Sequence, residues 1–220
     1  LHPGYGFLSE NVALARRCAE EGITFIGPSP AALDLFGDKA TAKALAKGCG
    51  VPVIDGTEGP TALEEARAFL AAHGAVMVKA IAGGGGRGMR MVDDPARLDE
   101  AYARCQSEAM AAFGSGDVYV ERLIRKARHI EVQIVGDRHG AISHLWEREC
   151  TIQRRNQKLI EVAPSPSLSD ALRSRIIESA KQLAAAAHYD NLGTFEFLVD
   201  DEASGNVERF AFIEANPRLQ

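Results

Sequence analysis

Apolar positions recur at helical spacing from Ser9 to Glu21, with Ser9 placed to cap and Gly22 to stop the element. Ile23-Thr24-Phe25-Ile26 then predicts a short buried strand closed by Gly27-Pro28. Two short helical stretches follow, at 30–35 and 38–47. Thr61 and Glu64 have capping-box spacing ahead of a helix that reaches about Ala72 and ends at Gly74. The compact apolar run 76–80 predicts a strand, 82–88 a glycine-rich loop, and 89–92 a return strand. Asp94 and Pro95 suit the N-cap and first position of a long amphipathic helix ending near Phe113. Beyond Val118 the texture becomes extended, with strands at 118–124, 129–135 and 141–149, the last two joined by the turn 136–140. Ser169 opens a helix that carries Leu172, Ile176, Ala180, Leu183 and Ala187 on one stripe. A closing hairpin pairs 193–200 with 207–216. No internal repeat is visible, and the expected class is α/β with α+β character, an antiparallel sheet dominating the second half.

Composition narrows the function classes. The 220 residues are 46% hydrophobic, 25% charged and 6% aromatic, which excludes a disordered or collagen-like chain. A net charge of −5 argues against a partner made of nucleic acid or an anionic membrane surface. No apolar run approaches the roughly 18 residues of a membrane span. Cys18, Cys49, Cys105 and Cys150 form no CxxC pair and read as free thiols of a reducing compartment, hence a cytoplasmic expectation. The chain opens at Leu1 inside a tight His2-Pro3-Gly4-Tyr5-Gly6 segment and stops at Gln220, so a fragment is expected.

Three constellations carry candidate chemistry. Gly83, Gly85 and Gly88 satisfy G-x-G-x-x-G, but Met89-Arg90-Met91-Val92 reads as strand where a dinucleotide fold needs a helix, and no Lys-Ser/Thr follows for a P-loop. What remains is strand, glycine loop, strand, with Lys79 at the exit of the first strand. Converging backbone N–H groups and one lysine suit a phosphate; a plain surface loop is the alternative. In the closing hairpin, a turn centred near Gly205 puts Glu196 opposite Glu214, their Cβ atoms roughly 5 Å apart. Two facing carboxylates among Phe195, Phe197, Phe210 and Phe212 call for a cation between them, and oxygen donors suit Mg²⁺ or Mn²⁺. A solvated sheet face is the alternative, and Pro217 is placed to end the strand before Arg218. The donor-rich run Gln153-Arg154-Arg155-Asn156-Gln157-Lys158 shows no hydrophobic period and reads as a loop or edge. His129, Glu131 and Gln133 share a strand face.

Together these blocks resemble biotin carboxylase, the ATP-grasp component of biotin-dependent acyl-CoA and pyruvate carboxylases. The resemblance rests on the run from His2 to Asn11, Gly37-Asp38-Lys39, and Lys79 with the glycine loop. It continues through Arg128-His129-Ile130-Glu131-Val132-Gln133, Gln153-Arg154-Arg155 with Gln157-Lys158, Gly193-Thr194-Phe195-Glu196-Phe197 and Glu214-Ala215-Asn216-Pro217-Arg218. The blocks fall in the family's order along the whole chain. The resemblance implies an ATP-grasp fold, with 1–35 a remnant of the N-terminal domain, 36–220 the ATP-grasp domain, and a lid at about 53–123.

It further implies Lys39, Lys79, Gly85, Gly86 and Met89 near phosphate. Glu121, Arg122, Leu123, Ile124 and Leu198 would lie around adenine, and His129, Gln153 and Asn156 around ribose and phosphates. Glu196, Glu214 and Asn216 would hold the metal, while Lys158 and Arg218 would face bicarbonate and the reacting intermediate. The implied ligase chemistry uses ATP to phosphorylate bicarbonate, and the CO₂ released from carboxyphosphate joins biotin carried on a partner domain. Implied partners are a biotin carboxyl carrier domain and a carboxyltransferase component, in a homo-oligomeric parent enzyme. Asn156 stands where the family more often has histidine, which implies altered nucleotide affinity. The family motif continues beyond Gln220, so an ATP site with little turnover is expected. Alternatives are another carboxyphosphate-forming ATP-grasp ligase, like carbamoyl-phosphate synthetase, or a non-catalytic nucleotide-binding module.

Overall fold

The computed structural model describes residues 1–6, 8–82, 88–154, 157–202 and 210–220. They form two compact units. The first comprises 1–53, 126–152 and 160–220; the second comprises 54–125 and 153–159.

In the first unit, α1 (Val12–Glu20) is capped by Asn11, whose side chain accepts from the Leu14 N–H. The expected cap, Ser9, is buried one turn upstream. The expected strand at 23–26 does not form: no neighbouring strand pairs with it among the described residues, and Ile23 and Ile26 remain about half exposed. The helical stretches expected at 30–35 and 38–47 form as α2 (Pro30–Gly37), capped by Ser29, and α3 (Lys39–Gly48), capped by Asp38. Ser169 likewise caps α6 (Asp170–Ala186).

The long strands β4 (Ala127–Gly136), β5 (Ile142–Arg154), β7 (Asn191–Asp200) and β8 (Phe210–Asn216), with β6 (Gln157–Val162), make a five-stranded sheet of order β6-β5-β4-β7-β8. The donor-rich run 153–158, expected as a loop or edge, has its described residues at the end of β5 and on β6, the edge strand of this sheet. The run shows no apolar period because the strand β6 is exposed along nearly its whole length.

One face of β4, β7 and β8 packs on α2, α3 and α6. Ile130, Val132, Ile134, Phe195, Phe197, Phe210 and Phe212 meet Phe36, Ile176, Leu183 and Tyr189 in one buried cluster. Phe195 stands edge-on to Phe36 at 5.1 Å and to Tyr189 at 5.5 Å. With a core this full on one side, period-2 alternation forces the polar residues of the same strands onto the other face.

The second unit packs α4 (Leu63–His73) and α5 (Leu98–Phe113) on a three-stranded antiparallel sheet of order β2-β1-β3. Its strands are β1 (Val76–Ala80), β2 (Met89–Val92) and β3 (Val118–Arg122). Val76, Val78, Val92, Val118 and Val120 pack on Leu70, Leu98, Tyr102 and Cys105. Thr61 does not cap α4: its hydroxyl bonds Thr57 and the Gly59 carbonyl instead, and Ala62 is the uncapped first residue. Asp94 caps a short 3₁₀ turn at Pro95–Arg97 rather than α5 itself, its side chain accepting from Ala96. The left-handed stops at Gly74 and Gly114 close α4 and α5. Most of the glycine loop, 83–87, lies outside the described residues. Its C-terminal stem is Gly88, with φ of 68°, whose carbonyl accepts the Ala80 N–H at 2.8 Å.

Candidate functional site

The candidate residues divide between the two units. In the first, the polar face of the sheet is set by register. Glu131 on β4 stands opposite Glu196 on β7, and Glu196 opposite Glu214 on β8. Thr194 pairs with Asn216, and His129 with Leu198. The expected facing of Glu196 and Glu214 is therefore present. A register shift just beyond Glu196 then moves Phe197 opposite Phe212. The strand ends at Asn216, ahead of Pro217, so Arg218 leaves the sheet as its position after proline predicts.

Glu196 is 2% exposed, and each of its carboxylate oxygens meets a donor. His129 Nε2 lies 2.5 Å from Oε2, and Asn216 Nδ2 donates to Oε1 at 2.5 Å. Glu214 is more open and pairs with Lys39 Nζ at 3.2 Å. Lys39 begins α3 directly after Asp38, whose carboxylate accepts the Thr41 N–H at 2.7 Å. The backbone and side-chain hydrogen bonds of Thr41 hold the Asp38 carboxyl below its usual value, so this helix start stays ionised and fixed.

The structure thus brings Lys39, His129, Glu196, Glu214 and Asn216 into one connected cluster on one sheet face. Two carboxylates and an amide oxygen are hard oxygen donors of the kind Mg²⁺ or Mn²⁺ takes. Asn216 gives its N–H to Glu196, which leaves Oδ1 as its metal-facing atom. The donor set fits the ion. Arg218 lies at the end of the same strand and donates to Glu10 Oε1 at 2.6 Å.

In the second unit, Lys79 on β1 and Glu121 on β3 form a salt bridge on the sheet face opposite the valine core. Glu121 is 1% exposed and the Lys79 side chain 20%. The segment before α4 covers the pair. Gly56 bridges to Glu121, and a Cβ on Gly56 would stand 2.8 Å from the Val120 carbonyl and 2.9 Å from the Glu121 side chain. Only a glycine allows that approach. Met89 pairs with Lys79 across the β1–β2 hairpin. Arg122 ends β3 beside Asp55 at 3.9 Å, the Leu123 N–H donates to the Ala75 carbonyl, and Ile124 is buried. Gln153 sits on β5 and Lys158 on β6. Gly85, Gly86 and Asn156 lie outside the described residues.

Two features of the first unit escaped sequence reasoning. Arg148 on β5 holds Glu131 and Gln133 on the site face. On the other face of β5, Glu147 accepts from Arg173 and from the Ser165 N–H, while Glu149 accepts from Ser165, Ser167, Thr151 and Arg128. Burial works against the Glu149 charge, yet these hydrogen bonds prevail and keep its carboxyl below the usual value. The strict Glu-Arg-Glu alternation at 147–149 is the sequence signal for both.

A five-stranded antiparallel sheet with a carboxylate–lysine face in one unit, and the stems of a glycine loop in the other, belong to an ATP-grasp type of ATP-binding domain. Residues 38–220 match the family model for the carbamoyl-phosphate synthase L chain, ATP binding domain, and residues 1–33 match the biotin carboxylase N-terminal domain. The chain belongs to the biotin carboxylase family, as its motifs predict. It is 54% identical, over its whole length, to 19% of a pyruvate carboxylase of Bacillus subtilis. Its fold matches a Campylobacter jejuni biotin carboxylase, solved as a β-γ-ATP complex, with a TM-score of 0.92, 48% identity and 48% of that chain covered. It also matches the biotin carboxylase domain of a Hydrogenobacter thermophilus 2-oxoglutarate carboxylase, solved with MgADP, ADP and bicarbonate. There the TM-score is 0.90, at 44% identity and 48% coverage. The present chain thus spans about a fifth of its curated relative and about half of these two structures. Among the described residues no helix is long and apolar enough to cross a membrane.

Proposed function

We propose that this chain forms the ATP- and metal-holding part of a biotin carboxylase, a ligase that carboxylates carrier-bound biotin at the expense of ATP. The observation that carries the reading is the cluster of Lys39, His129, Glu196, Glu214 and Asn216 on one sheet face. In this reading the domains divide at 1–35 and 36–220, with 53–123 as the lid. Bicarbonate oxygen attacks the γ-phosphorus of ATP; the bond to ADP breaks and carboxyphosphate forms. Its C–O bond then cleaves to give CO₂ and phosphate, the ureido N–H of biotin gives its proton to that phosphate, and the nitrogen adds to CO₂.

A divalent ion bound by Glu196, Glu214 and Asn216 supplies charge for the phosphoryl oxygens. Glu196 is kept in place by His129, so its carboxylate is pre-oriented without ligand. Lys39 is engaged by Glu214; a cation held by that carboxylate would leave the ammonium available to phosphate. Nucleotide and metal should therefore bind cooperatively. Lys79 supplies a second phosphate contact together with Gly85, Gly86 and Met89. Glu121, Arg122, Leu123, Ile124 and Leu198 enclose adenine, and Gln153 and Asn156 lie along ribose and phosphates. Lys158 and Arg218 face bicarbonate and the intermediate, Arg218 through a planar, permanently charged fork.

The partners are a biotin carboxyl carrier domain and a carboxyltransferase component, in a homo-oligomeric cytoplasmic enzyme. The choice of acceptor belongs to the carboxyltransferase. The test is calorimetric ATP titration with and without Mg²⁺, on wild type and on a Glu196→Gln/Glu214→Gln variant. Metal-dependent binding lost in the folded variant supports the reading. Equal binding with and without Mg²⁺ in both proteins refutes the carboxylate site.

A further inference from the structure

We infer that Arg148 is a second guanidinium of the oxyanion cleft that Arg218 lines, a binding and positioning residue for a small planar oxyanion. The inference rests on the reading above, in which that oxyanion is bicarbonate. An open cleft in the first unit is lined by Tyr5, Arg148, Glu161, Arg218 and Gln220.

Arg148 is anchored from behind. It faces Glu131 across the β4–β5 ladder, and both its Nε and an Nη lie 2.5 Å from Glu131 Oε1. A further Nη donates to Gln133 Oε1 at 3.1 Å, and Gln133 in turn donates to the Gly193 carbonyl at 3.0 Å. Glu131 has no solvent exposure, so its charge holds the guanidinium firmly. A guanidinium has five N–H donors, and these three contacts leave two for the cleft.

The cleft side of Arg148 is covered only loosely. Glu161, 46% exposed, stands 3.6 Å from an Nε whose one hydrogen is already given to Glu131, so it acts on the guanidinium as a nearby charge and not as a hydrogen-bond partner. Arg218 has its Nε on Glu10 at 2.6 Å and one Nη on the Leu219 carbonyl at 3.4 Å, and also lines this cleft. Two planar forks, one locked in place from behind, therefore border one small cleft with a single weakly held carboxylate between them. A planar oxyanion can accept from the two remaining Nη hydrogens, and the nearby Glu161 charge opposes it. A metal at Glu131, Cys150 and Glu161, whose ligand atoms lie within 4.8 Å of one another, is disfavoured because the Arg148 guanidinium already neutralises the buried Glu131 carboxylate.

The test uses the complete polypeptide and measures ATP hydrolysis against bicarbonate concentration for wild type, R148K, R148Q and E161Q. R148Q should raise KM for bicarbonate by about 10-fold or more, the loss of one charge-assisted contact, with KM for ATP within about two-fold of wild type. R148K should fall between. E161Q should lower KM for bicarbonate, because the competing carboxylate is gone; a purely structural Arg148 predicts no such gain.

An unchanged bicarbonate KM in active R148Q, or a raised one in E161Q, overturns the inference. If R148Q does not fold, E161Q decides alone. If wild type shows no bicarbonate-dependent hydrolysis, the proposed function fails; calorimetric titration of bicarbonate and of phosphate into wild type and E161Q then reads the cleft directly. Tighter bicarbonate binding by E161Q supports the inference, and absent binding, or phosphate preferred over bicarbonate, overturns it.

Discussion

Replacing Lys79 separates what the residue does for stability from what it does for ligand. Its ammonium neutralises Glu121, which is 1% exposed, so Lys79→Met strands a carboxylate in a site built for a pair. Breaking a buried ion pair from one side costs about 3–5 kcal/mol. For a chain of this length each kcal/mol moves Tm by about 2–4 °C, so a fall of roughly 6–20 °C is expected. Glu121→Gln should cost less, because the Lys79 side chain is 20% exposed and its charge can still reach water. The Lys79→Met/Glu121→Gln double variant leaves no charge behind and should regain most of the lost stability. Denaturant unfolding of the four proteins closes the double-mutant cycle. Calorimetric titration of ATP on the same samples then isolates the ligand role, since both Lys79 variants should bind weakly whatever their stability. A Lys79→Met protein within about 1 kcal/mol of wild type, or a double variant no more stable than it, would refute the buried-pair account.

Two further predictions concern the cores. Phe195 is fully buried and meets both Phe36 and Tyr189 edge-on, so Phe195→Ala should cost about 3–5 kcal/mol in denaturant unfolding, and a loss under about 1 kcal/mol would contradict this packing. Burial pushes the Cys105 thiol up to about 11, while its Sγ lies 2.9 Å from the Gly88 carbonyl. An unfolded thiol loses its proton near pH 9 and the folded one only near 11, so the folded chain binds the proton more tightly. The stability this contributes is complete below about pH 9 and declines between pH 9 and 11, by an amount on the order of 2 kcal/mol. Cys105→Ala should flatten that part of the stability–pH curve, and an identical slope in wild type and variant would count against it.

The elements legible in the sequence are those whose signals are local. Ser169 caps its helix because its side chain reaches the backbone N–H three residues on, a contact written within four residues. The β7–β8 register was legible for a related reason: a short connection ties the pairing to a simple symmetry about the turn, which sets Glu196 against Glu214. The local signals that misled had two competent candidates. Ser9 and Asn11 can both cap, and burial of Ser9 leaves the cap to Asn11. Thr61 has the right spacing to Glu64, but Thr57 and the Gly59 carbonyl take its hydroxyl.

The strands β5 and β6 are a different case. Alternation betrays a strand only when one face is buried, and β6 buries neither, so its polar run looks like a loop. Arg148 was hidden by distance along the chain. Its neighbours Glu147 and Glu149 find their partners on the other face of β5; the demand for Arg148 comes from Glu131, 17 residues away, and exists only once β4 and β5 are in register. A buried carboxylate placed by long-range pairing selects its partner after the sheet has formed. That is why the residues of the Lys39, Glu196 and Glu214 cluster could be read from motifs, whereas the arginine anchored on Glu131 required the fold.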